Sequence, residues 1–309
     1  MDAGAIRDPL GWTLMLGRIG AGTWGYTSRQ PAPEPTCWAS LALHRTGSCA
    51  NWCADVNVGE LESWQGADGS WPAIPGVDEG STLGTALAAI TLIHLGGDPH
   101  RVARAVNWLV EERCREAHWL WRWKLRSVDN KVRFDPAKYG WGWVPETVSW
   151  VIPTAFAIVA LEQARHLPGV GTARLRDRVA LGREMLLDRA CPTGGWNAGN
   201  GVVYGVALKP HIDATATALL ALQGWQESSQ VQAALRYLAA EAPKCPSPYS
   251  VAWAVLALAL FRGTSVDSTL ARLEALLPLA EQTSEVCTIA VCCLALDAVE
   301  GRHVFRTVA

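Results

Sequence analysis

A short apolar phrase of the form Thr-x-x-Ala-x-x-Ala-Leu, or a close variant of it, occurs six times along this chain. The copies follow one another at intervals of about 35 to 70 residues, and recurrence at such intervals is the signature of a repeat architecture. In these architectures each unit buries its apolar face against its neighbours, so the repeat constrains the whole fold. The copies begin at Thr36, Thr85, Thr154, Thr215, Val251 and Cys287.

Each copy is apolar on nearly every face, which is typical of a helix that is buried on all sides. The segments between the copies carry Arg and Glu among apolar residues at helical spacing, as expected for outer helices. Pro, Gly and Ser near the junctions indicate short loops, and no run predicts a strand. We therefore expect an all-α protein with one domain over residues 1–309, in which six inner helices form a closed ring of helical hairpins. The clearest outer segments are 101–115, 172–189, 228–241 and 267–281.

Composition narrows the class of protein. Half of the 309 residues are hydrophobic and 18% are charged, which suits one large buried core. The net charge of −2 gives no electrostatic reason to expect a nucleic-acid partner. Nine Cys, with no secretory signal in the first 20 residues, predict reduced thiols in a cytoplasmic protein, either free or peripheral at the inner membrane. We expect no membrane-spanning segment, because polar residues interrupt every apolar stretch of about 20 residues.

The longest connection, at about 117–147, precedes the third inner helix and is rich in aromatic residues. Connections of this length are usually functional or disordered, and the aromatic content favours an ordered insert over one end of the ring. Its first part, 117–126, alternates three Trp with Arg122, Lys124 and Arg126. This mixture suits contact with a membrane surface, where indoles lie at headgroup level and cations meet anionic lipids. It suits equally well packing on the rim of the ring, with the cations reaching solvent.

Two segments resemble the glutamine–tryptophan (QW) repeat of squalene-hopene and oxidosqualene cyclases. They are Gln65–Trp71 (Gln-Gly-Ala-Asp-Gly-Ser-Trp) and Thr193–Asn197 (Thr-Gly-Gly-Trp-Asn), of which the second lacks the Gln. Over about residues 30–300 the chain resembles the superfamily of terpene cyclases and protein prenyltransferase β subunits. It is most similar to bacterial stand-alone members with a segment like 134–150. The resemblance implies an α6/α6 toroid, a fold that hosts unrelated chemistries.

An acid-initiated cyclase needs a proton donor, a dry apolar cavity and π faces that stabilise a carbocation. In the squalene-hopene cyclases the donor is the middle Asp of an Asp-x-Asp-Asp-Thr-Ala stretch, and the corresponding stretch here is 211–216. The resemblance therefore implies that Asp213 is the catalytic acid and that His211, which replaces a flanking acid, tunes it. Alternatively, Asp213 only caps the fourth inner helix. Asp135 in the insert is the second-choice acid, and its alternative is an Asx turn or an ion pair.

Three carboxylates share one position relative to the repeat: Glu34, Asp213 and Glu285 each lie two residues before a repeat anchor. We expect them at the same end of the ring, although each one alone could simply complement a helix N-terminus. The candidates to line a substrate cavity are aromatic residues in or near the inner helices, namely Trp38, Trp150, Trp196, Tyr204, Tyr249 and Trp253.

Other chemistries lack their residues. The zinc prenyltransferases hold Zn²⁺ with an Asp-x-Cys pair and a later His, and the matching helix at 284–293 contains no His. Cys49 and Cys53 have a metal-like spacing but no second pair. The chain also has no Asp-Asp-x-x-Asp run, Walker loop, nucleophile elbow or dinucleotide fingerprint. We expect neither a metal nor a cofactor.

The leading hypothesis from the sequence is a class II-like enzyme, an isomerase or lyase. It would cyclise or isomerise an isoprenoid in a central hydrophobic cavity. A toroid that binds an isoprenoid or another lipid without chemistry is one alternative. A scaffold that binds a protein partner across the mouth of the ring is the other.

Overall fold

The computed structural model describes residues 10–11, 13–19, 22–27, 30–45, 58–127, 133–168, 170–261 and 265–307. Cys49 and Cys53 lie outside the described residues. Numbered in chain order, the described helices are α1 (Pro33–Arg45), α2 (Gly59–Ser63), α3 (Thr82–Leu95), α4 (Pro99–Glu111), α5 (Trp119–Ser127), α6 (Val151–Ala164), α7 (Thr172–Asp188), α8 (Ile212–Ala221), α9 (Ser229–Glu241), α10 (Pro248–Leu258), α11 (Asp267–Thr283) and α12 (Val286–Val299).

Six of these helices form a closed inner ring. Helices α1, α3, α6, α8, α10 and α12 each pack against the next, and α12 packs against α1. Every copy of the repeat phrase lies in one of them. Helices α4, α7, α9 and α11 pack on the outside of the ring, at positions close to the predicted outer segments. The predicted all-α toroid is therefore confirmed.

The expectation that the chain forms no strand is wrong at two short hairpins. Strands β1 (Trp71–Pro72) and β2 (Gly80–Ser81) pair antiparallel, with Trp71 opposite Ser81. Strands β3 (Val202–Val203) and β4 (Val206–Ala207) pair in the same way. Pairs of two residues are too short to produce a periodic sequence pattern, and they order the loops that lead into α3 and α8.

A buried tryptophan braces four of the helical hairpins. In the first, the Trp24 backbone N–H donates to Thr36 Oγ1 at 2.9 Å, and the indole N–H donates to the Leu14 carbonyl at 2.7 Å. The threonine is the first residue of a repeat phrase, and the carbonyl lies just before the turn that carries the tryptophan. The same pair of bonds joins Trp71 to Thr85 and Leu61, Trp141 to Thr154 and Leu109, and Trp196 to Thr215 and Leu186. The brace explains why four phrases begin with Thr, and it uses four of the chain's 16 Trp residues.

Two glycines let these turns approach the following outer helix. Gly69 and Gly194 have φ values of +98° and +96°, a region that L side chains rarely adopt. A Cβ on Gly69 would lie 2.8 Å from the Arg104 carbonyl oxygen, and a Cβ on Gly194 would lie 3.0 Å from that of Ala233. In both QW-like segments, a glycine with positive φ therefore lets the turn pack closely against the backbone of the following outer helix, α4 for Gly69 and α9 for Gly194.

Aromatic side chains fill the axis of the ring. Trp38 of α1, Phe156 of α6, Trp253 of α10 and Phe305 are each at most 3% exposed, and we call them the aromatic cluster. The Trp38 ring lies 5.4 Å from Trp253 and 5.5 Å from Phe156, both edge to face, while Phe305 lies 5.8 Å from Trp253. These separations are favourable for aromatic contact, so the middle of the ring is a packed core.

Phe305 reaches the axis because residues 302–307, the closing segment, cross the end of the ring where the inner helices finish. Gln163 donates from Nε2 to the Val304 carbonyl at 2.7 Å, and Gln223 donates in the same way to the Phe305 carbonyl at 2.7 Å. The His303 ring bonds the Leu256 carbonyl at 2.8 Å. These bonds from three inner-helix hairpins fix an irregular segment whose buried backbone would otherwise lack partners.

Candidate functional site

The inner helices begin at one end of the ring, which we call the N-terminal mouth. Each outer helix returns the chain to this end, so that the loops before the inner helices lie side by side. Two backbone hydrogen bonds join these loops to one another. The Thr82 N–H donates to the Trp143 carbonyl at 3.0 Å, and the Val151 N–H donates to the Ala198 carbonyl at 2.9 Å.

The three predicted carboxylates lie at this mouth. Glu34 and Asp213 are in the first turns of α1 and α8, and Glu285 occupies the N-cap position of α12. Glu285 is exposed and accepts a hydrogen bond from the Thr288 hydroxyl. Glu34 accepts hydrogen bonds from the Tyr26 hydroxyl and, at 3.3 Å, from the Trp38 indole. Both of these carboxylates are therefore engaged by neighbouring side chains.

Asp213 differs from the other two carboxylates. It is half-buried, and within the described part of the chain its carboxylate accepts no hydrogen bond and forms no ion pair. The N-cap position of α8 belongs to His211, and no side chain caps the helix. The alternative that Asp213 serves as a cap is thus not realised. Nor does His211 bond Asp213: its side chain is exposed, and its backbone N–H donates to the Trp196 carbonyl.

Asp213 interacts electrostatically with Tyr249, which lies next to the aromatic cluster. Burial raises the pKa of Tyr249 well above its usual range, and the nearby Glu34 and Asp213 side chains raise it further. Tyr249 is the second residue of α10, and its ring lies 6.1 Å from that of Trp253 in the aromatic cluster. A phenol that remains protonated therefore interacts both with Asp213 and with the buried rings.

The predicted substrate-lining residues separate into two groups. Trp38 and Trp253 belong to the aromatic cluster, and the half-buried Tyr249 lies above it. Trp150 is half-buried at the N-cap position of α6, also at the mouth. Of these four residues, Tyr249 is the one with an electrostatic interaction with Asp213 among the described residues.

The other two predicted lining residues, Trp196 and Tyr204, lie outside this group. Trp196 is fully buried, and its indole N–H donates to the Leu186 carbonyl at 2.6 Å, so it acts as a brace. Tyr204 is 70% exposed, in the turn between β3 and β4, with φ +53°. Neither residue belongs to the aromatic cluster or packs against its rings.

Asp135, the second-choice acid, is held as a carboxylate on the outside of the ring. It accepts hydrogen bonds at 3.0 Å from the Ala137 N–H and from Arg126 Nη2. These two contacts hold the pKa of Asp135 below its ordinary value. Its backbone N–H also donates to Asp188 at 2.8 Å. The Asx turn and the ion pair are both present, and a carboxyl with a lowered pKa makes a poor proton donor.

Phe156 and Phe305 of the aromatic cluster are not among the aromatic residues predicted from the sequence to line a cavity. A signal for Phe156 does exist: it occupies the third position of its repeat phrase, as Trp38 and Trp253 do in theirs. The aromatic third position thus falls on α1, α6 and α10, which are alternate helices of the ring. Phe305 belongs to no repeat copy, and only the fold brings it to the axis.

The described residues contain neither a metal-binding cluster nor a membrane-spanning helix. Among the described residues, no group of three or more His, Cys, Asp or Glu side chains is arranged to hold a metal ion. None of the described helices combines the length and apolar character that crossing a membrane requires.

Comparison with known proteins defines the fold. No protein-family model matches the chain, and no curated protein matches it. A solved structure of a variant of type II terpene cyclase MstE from Scytonema, with the product merosterolic acid A, is 14% identical. The match covers 97% of each chain at a TM-score of 0.60. A second MstE variant, with the substrate geranylgeranyl dihydroxybenzoate, matches at 14% identity and a TM-score of 0.59, over 97% of this chain and 98% of that one.

A third solved structure has the same ring and another kind of ligand. A variant of Rex8A from Paenibacillus barcinonensis, complexed with xylose, is 10% identical over 99% of this chain and 95% of that one, with a TM-score of 0.62. The chain therefore has a terpene cyclase-like toroid fold, as the resemblance implied. At these identities the likeness concerns the fold alone, and the reaction must be argued from the site.

Proposed function

We propose that the protein catalyses an acid-initiated cyclisation or isomerisation of an isoprenoid, with Asp213 as the proton donor. One observation carries the proposal: a half-buried carboxylate without hydrogen bonds or ion pairs among the described residues lies at the mouth of an aromatic-filled ring. Protonation of an alkene needs an acid sheltered from water, and the resulting carbocation is stabilised by π faces. Asp213 would supply the half-buried acid, and the half-buried Trp150 and Tyr249 at the mouth would supply π faces.

The substrate in this proposal lies in the N-terminal mouth. The aromatic cluster fills the axis, so its upper edge forms the floor of the site, in place of the open central cavity expected from the sequence. Asp213 in its acid form transfers a proton to one carbon of a terminal alkene, and the neighbouring carbon becomes the cation. A second alkene of the chain then attacks that cation and closes a ring, which leaves the positive charge on another carbon, and a C–H beside this carbon loses its proton to form a new double bond. Without the ring closure, a C–H beside the first cation loses its proton and the double bond is shifted. The released proton returns to the Asp213 carboxylate, which restores the acid.

Three neighbours have supporting roles in the proposal. The Tyr249 hydroxyl, whose pKa is raised, stays neutral and holds the mouth without adding a competing anion. Glu34 keeps Tyr26 and Trp38 in place through its two hydrogen bonds. His211 is retained as the residue that tunes Asp213, by turning its exposed side chain toward the carboxylate once substrate covers the mouth. The isoprenoid substrate class is supported by the MstE structure that contains geranylgeranyl dihydroxybenzoate.

We further propose that this end of the ring contacts a membrane surface. Exposed apolar side chains surround the N-terminal mouth, in α5 and in the loops before α3, α6 and α8. Helix α5 also carries Arg122, Lys124 and Arg126 and has no buried residue, which is the composition of an interfacial helix. Arg115 lies just before α5, and its side chain donates to the Glu146 carbonyl at 2.8 Å. This bond joins the segment that leads into α5 to the loop before α6. This apolar rim consists of Ile74, Val77, Trp119, Leu120, Trp123, Trp143, Val148, Tyr204, Val206 and Leu208.

Mass spectrometry of protein incubated with linear isoprenoids in detergent micelles tests the reaction. The panel includes geranylgeraniol, squalene and a geranylgeranyl-substituted phenol, each offered to the wild type, to Asp213→Asn and to a control, Asp177→Asn. Asp177 is an exposed aspartate on the outer helix α7, far from the mouth. A cyclised or isomerised product from the wild type and the control, but not from Asp213→Asn, supports the proposal.

Two other outcomes reject it in favour of the alternatives. Unchanged isoprenoid that co-purifies equally with the wild type and Asp213→Asn indicates a lipid-binding protein without chemistry. A chain that retains no isoprenoid and converts none indicates a scaffold.

A further inference from the structure

We propose that the chain has a second ligand site at the far end of the ring from Asp213. Its ligand is a small compound with a flat apolar body and an anionic headgroup, either a phosphate or a carboxylate. The site is independent of the proposed reaction, since it shares no residue with the N-terminal mouth.

The site is a cavity of about 560 Å³ between the end of α6, the first half of α7 and the loop after α8. Leu175 and Val179 of α7, both buried, form an apolar floor. Trp225 forms one wall and is 39% exposed, and its backbone N–H donates to the Leu222 carbonyl at 3.1 Å. A flat apolar group fits between an indole and two aliphatic side chains.

The rim of the cavity carries an excess of positive charge. Arg165, Arg176 and Arg183 line it, together with a single carboxylate, Glu162. Glu162 Oε1 lies 2.9 Å from Arg183 Nη2, and its Oε2 lies 3.2 Å from Arg165 Nη1. One carboxylate cannot neutralise three guanidinium groups, so an anion is favoured there even though the whole chain has a net charge of −2.

Helix dipoles do not explain this cluster. Arg165 follows the last residue of α6, where a cation complements the helix dipole. Arg176, by contrast, lies near the beginning of α7, where the dipole disfavours a cation. Arg176 forms no hydrogen bond or ion pair with the described residues, so its guanidinium has donors available for a ligand. Arginine pairs well with carboxylates and phosphates, since its planar fork matches two oxygens at once.

A neighbouring cavity supplies an independent indication. It measures about 460 Å³, shares Glu162, Arg165 and His166 with the first cavity, and is lined further on by Gln163 and Thr307. Gln163 Oε1 and Thr307 Oγ1 are both buried beside it without a hydrogen-bond partner among the described residues. Buried polar atoms are usually satisfied by protein or by ordered water, so these two atoms mark a polar region next to the guanidinium rim.

Isothermal titration calorimetry with simple probes tests the site. The probes are phenyl phosphate, benzoate, inorganic phosphate and phenol, titrated into the wild type and into Arg176→Gln, Trp225→Leu and Arg174→Gln. Arg174 is the matched control: it lies two residues before Arg176 on the same helix, is 80% exposed, and pairs with Glu111 at 3.6 Å outside the cavity. Thermal unfolding of each variant checks that the fold is intact.

We expect phenyl phosphate or benzoate to bind the wild type more tightly than inorganic phosphate or phenol, and the tighter of the two identifies the headgroup. Arg176→Gln should weaken that binding by about threefold, as for a partly exposed ion pair. Trp225→Leu should weaken it by about fivefold, the loss of an aromatic contact. Arg174→Gln should leave it unchanged. The inference fails if Arg174→Gln and Arg176→Gln weaken binding equally, if inorganic phosphate binds as well as phenyl phosphate, or if no probe binds at millimolar concentration.

Discussion

The side-chain amide of Gln223 donates a 2.7 Å hydrogen bond to the carbonyl oxygen of Phe305, 82 positions further along the chain. The same amide accepts the Thr307 N–H at 3.1 Å through its oxygen. A single side chain at the end of α8 therefore holds the closing segment on both sides of the Phe305 ring. The aromatic cluster is completed only when these bonds form.

This relationship predicts that Phe305 contributes strongly to stability. Phe305→Ala should lower the free energy of unfolding by about 3 to 5 kcal/mol, as for other buried Phe to Ala changes, since it leaves a cavity beside Trp38 and Trp253. Urea unfolding measures the change, with Leu279→Ala as the control because Leu279 is 45% exposed on α11. A loss no larger in Phe305→Ala than in the control would show that the closing segment is not part of the cooperative core.

The tryptophan brace predicts a contrast between two buried threonines near the beginnings of inner helices. Thr215 Oγ1 accepts the Trp196 N–H at 2.9 Å and donates to the Trp196 carbonyl at 3.1 Å. Thr215→Val leaves the Trp196 N–H buried without a partner, while the Trp196 carbonyl keeps the bond from the His211 N–H, and the change should cost about 1 to 3 kcal/mol. Thr82 is equally buried, but its hydroxyl has no hydrogen-bond partner among the described residues, so Thr82→Val should be neutral or stabilising. Equal effects of the two changes on thermal unfolding would contradict the brace.

Glu112 predicts a pH dependence of stability. Burial raises the pKa of Glu112 to about 7, although Arg178, at 3.7 Å, acts in the opposite direction. In the unfolded chain this carboxyl titrates at about 4.3. The folded protein therefore binds the proton more tightly, and the resulting stabilisation is present below the unfolded pKa and lost as the pH rises through about 7.

Glu112→Gln keeps the side chain neutral at every pH, so this loss should disappear in the variant. Between pH 5 and pH 8, the stability of the wild type should fall relative to Glu112→Gln by about 2 to 3 kcal/mol in urea unfolding. The exposed neighbour Glu111 provides the control variant Glu111→Gln, which should follow the wild type. Parallel curves for the wild type and Glu112→Gln would indicate that Glu112 stays ionised in the fold.

The apolar rim predicts binding to anionic vesicles. Trp119 and Trp123 are 70% and 60% exposed in α5, and Trp121 lies between two cations, with Lys124 Nζ 4.6 Å from its ring. The double variant Trp119→Ala/Trp123→Ala should reduce co-sedimentation with phosphatidylglycerol vesicles by about tenfold, because binding scales with the apolar area buried in the interface. Leu279→Ala should not change it. Equal binding of both variants would assign the exposed indoles another role.

The sequence predicted the ring and the end at which the acids lie, because both follow from one repeated pattern. A helix that is apolar on every face must be an inner helix, and the place of Asp213 before Thr215 puts it where that helix begins. The pattern could not separate the two uses of tryptophan. Trp196 and Trp253 both lie close to a repeat phrase, but one braces a hairpin and the other fills the axis.

The remaining features depend on contacts between distant segments. Nothing near Phe305 in the sequence distinguishes it from any apolar residue of an irregular segment, and its role depends on Gln163 and Gln223. The sequence does not predict the arginine-lined cavity either. Arg176 and Trp225 are separated by an entire hairpin along the chain and come together only in the folded ring.

The contact between α1 and α12 has a consequence for how the chain is made. The inner ring is closed by its first and last members, so a chain emerging from the ribosome can stack hairpins one after another but cannot complete the circle until the last helix has left the exit tunnel. Until then, α1 and α10 each present an apolar flank with no neighbour. This protein should therefore depend on chaperones more than an open solenoid of the same length, whose end helices never need to meet.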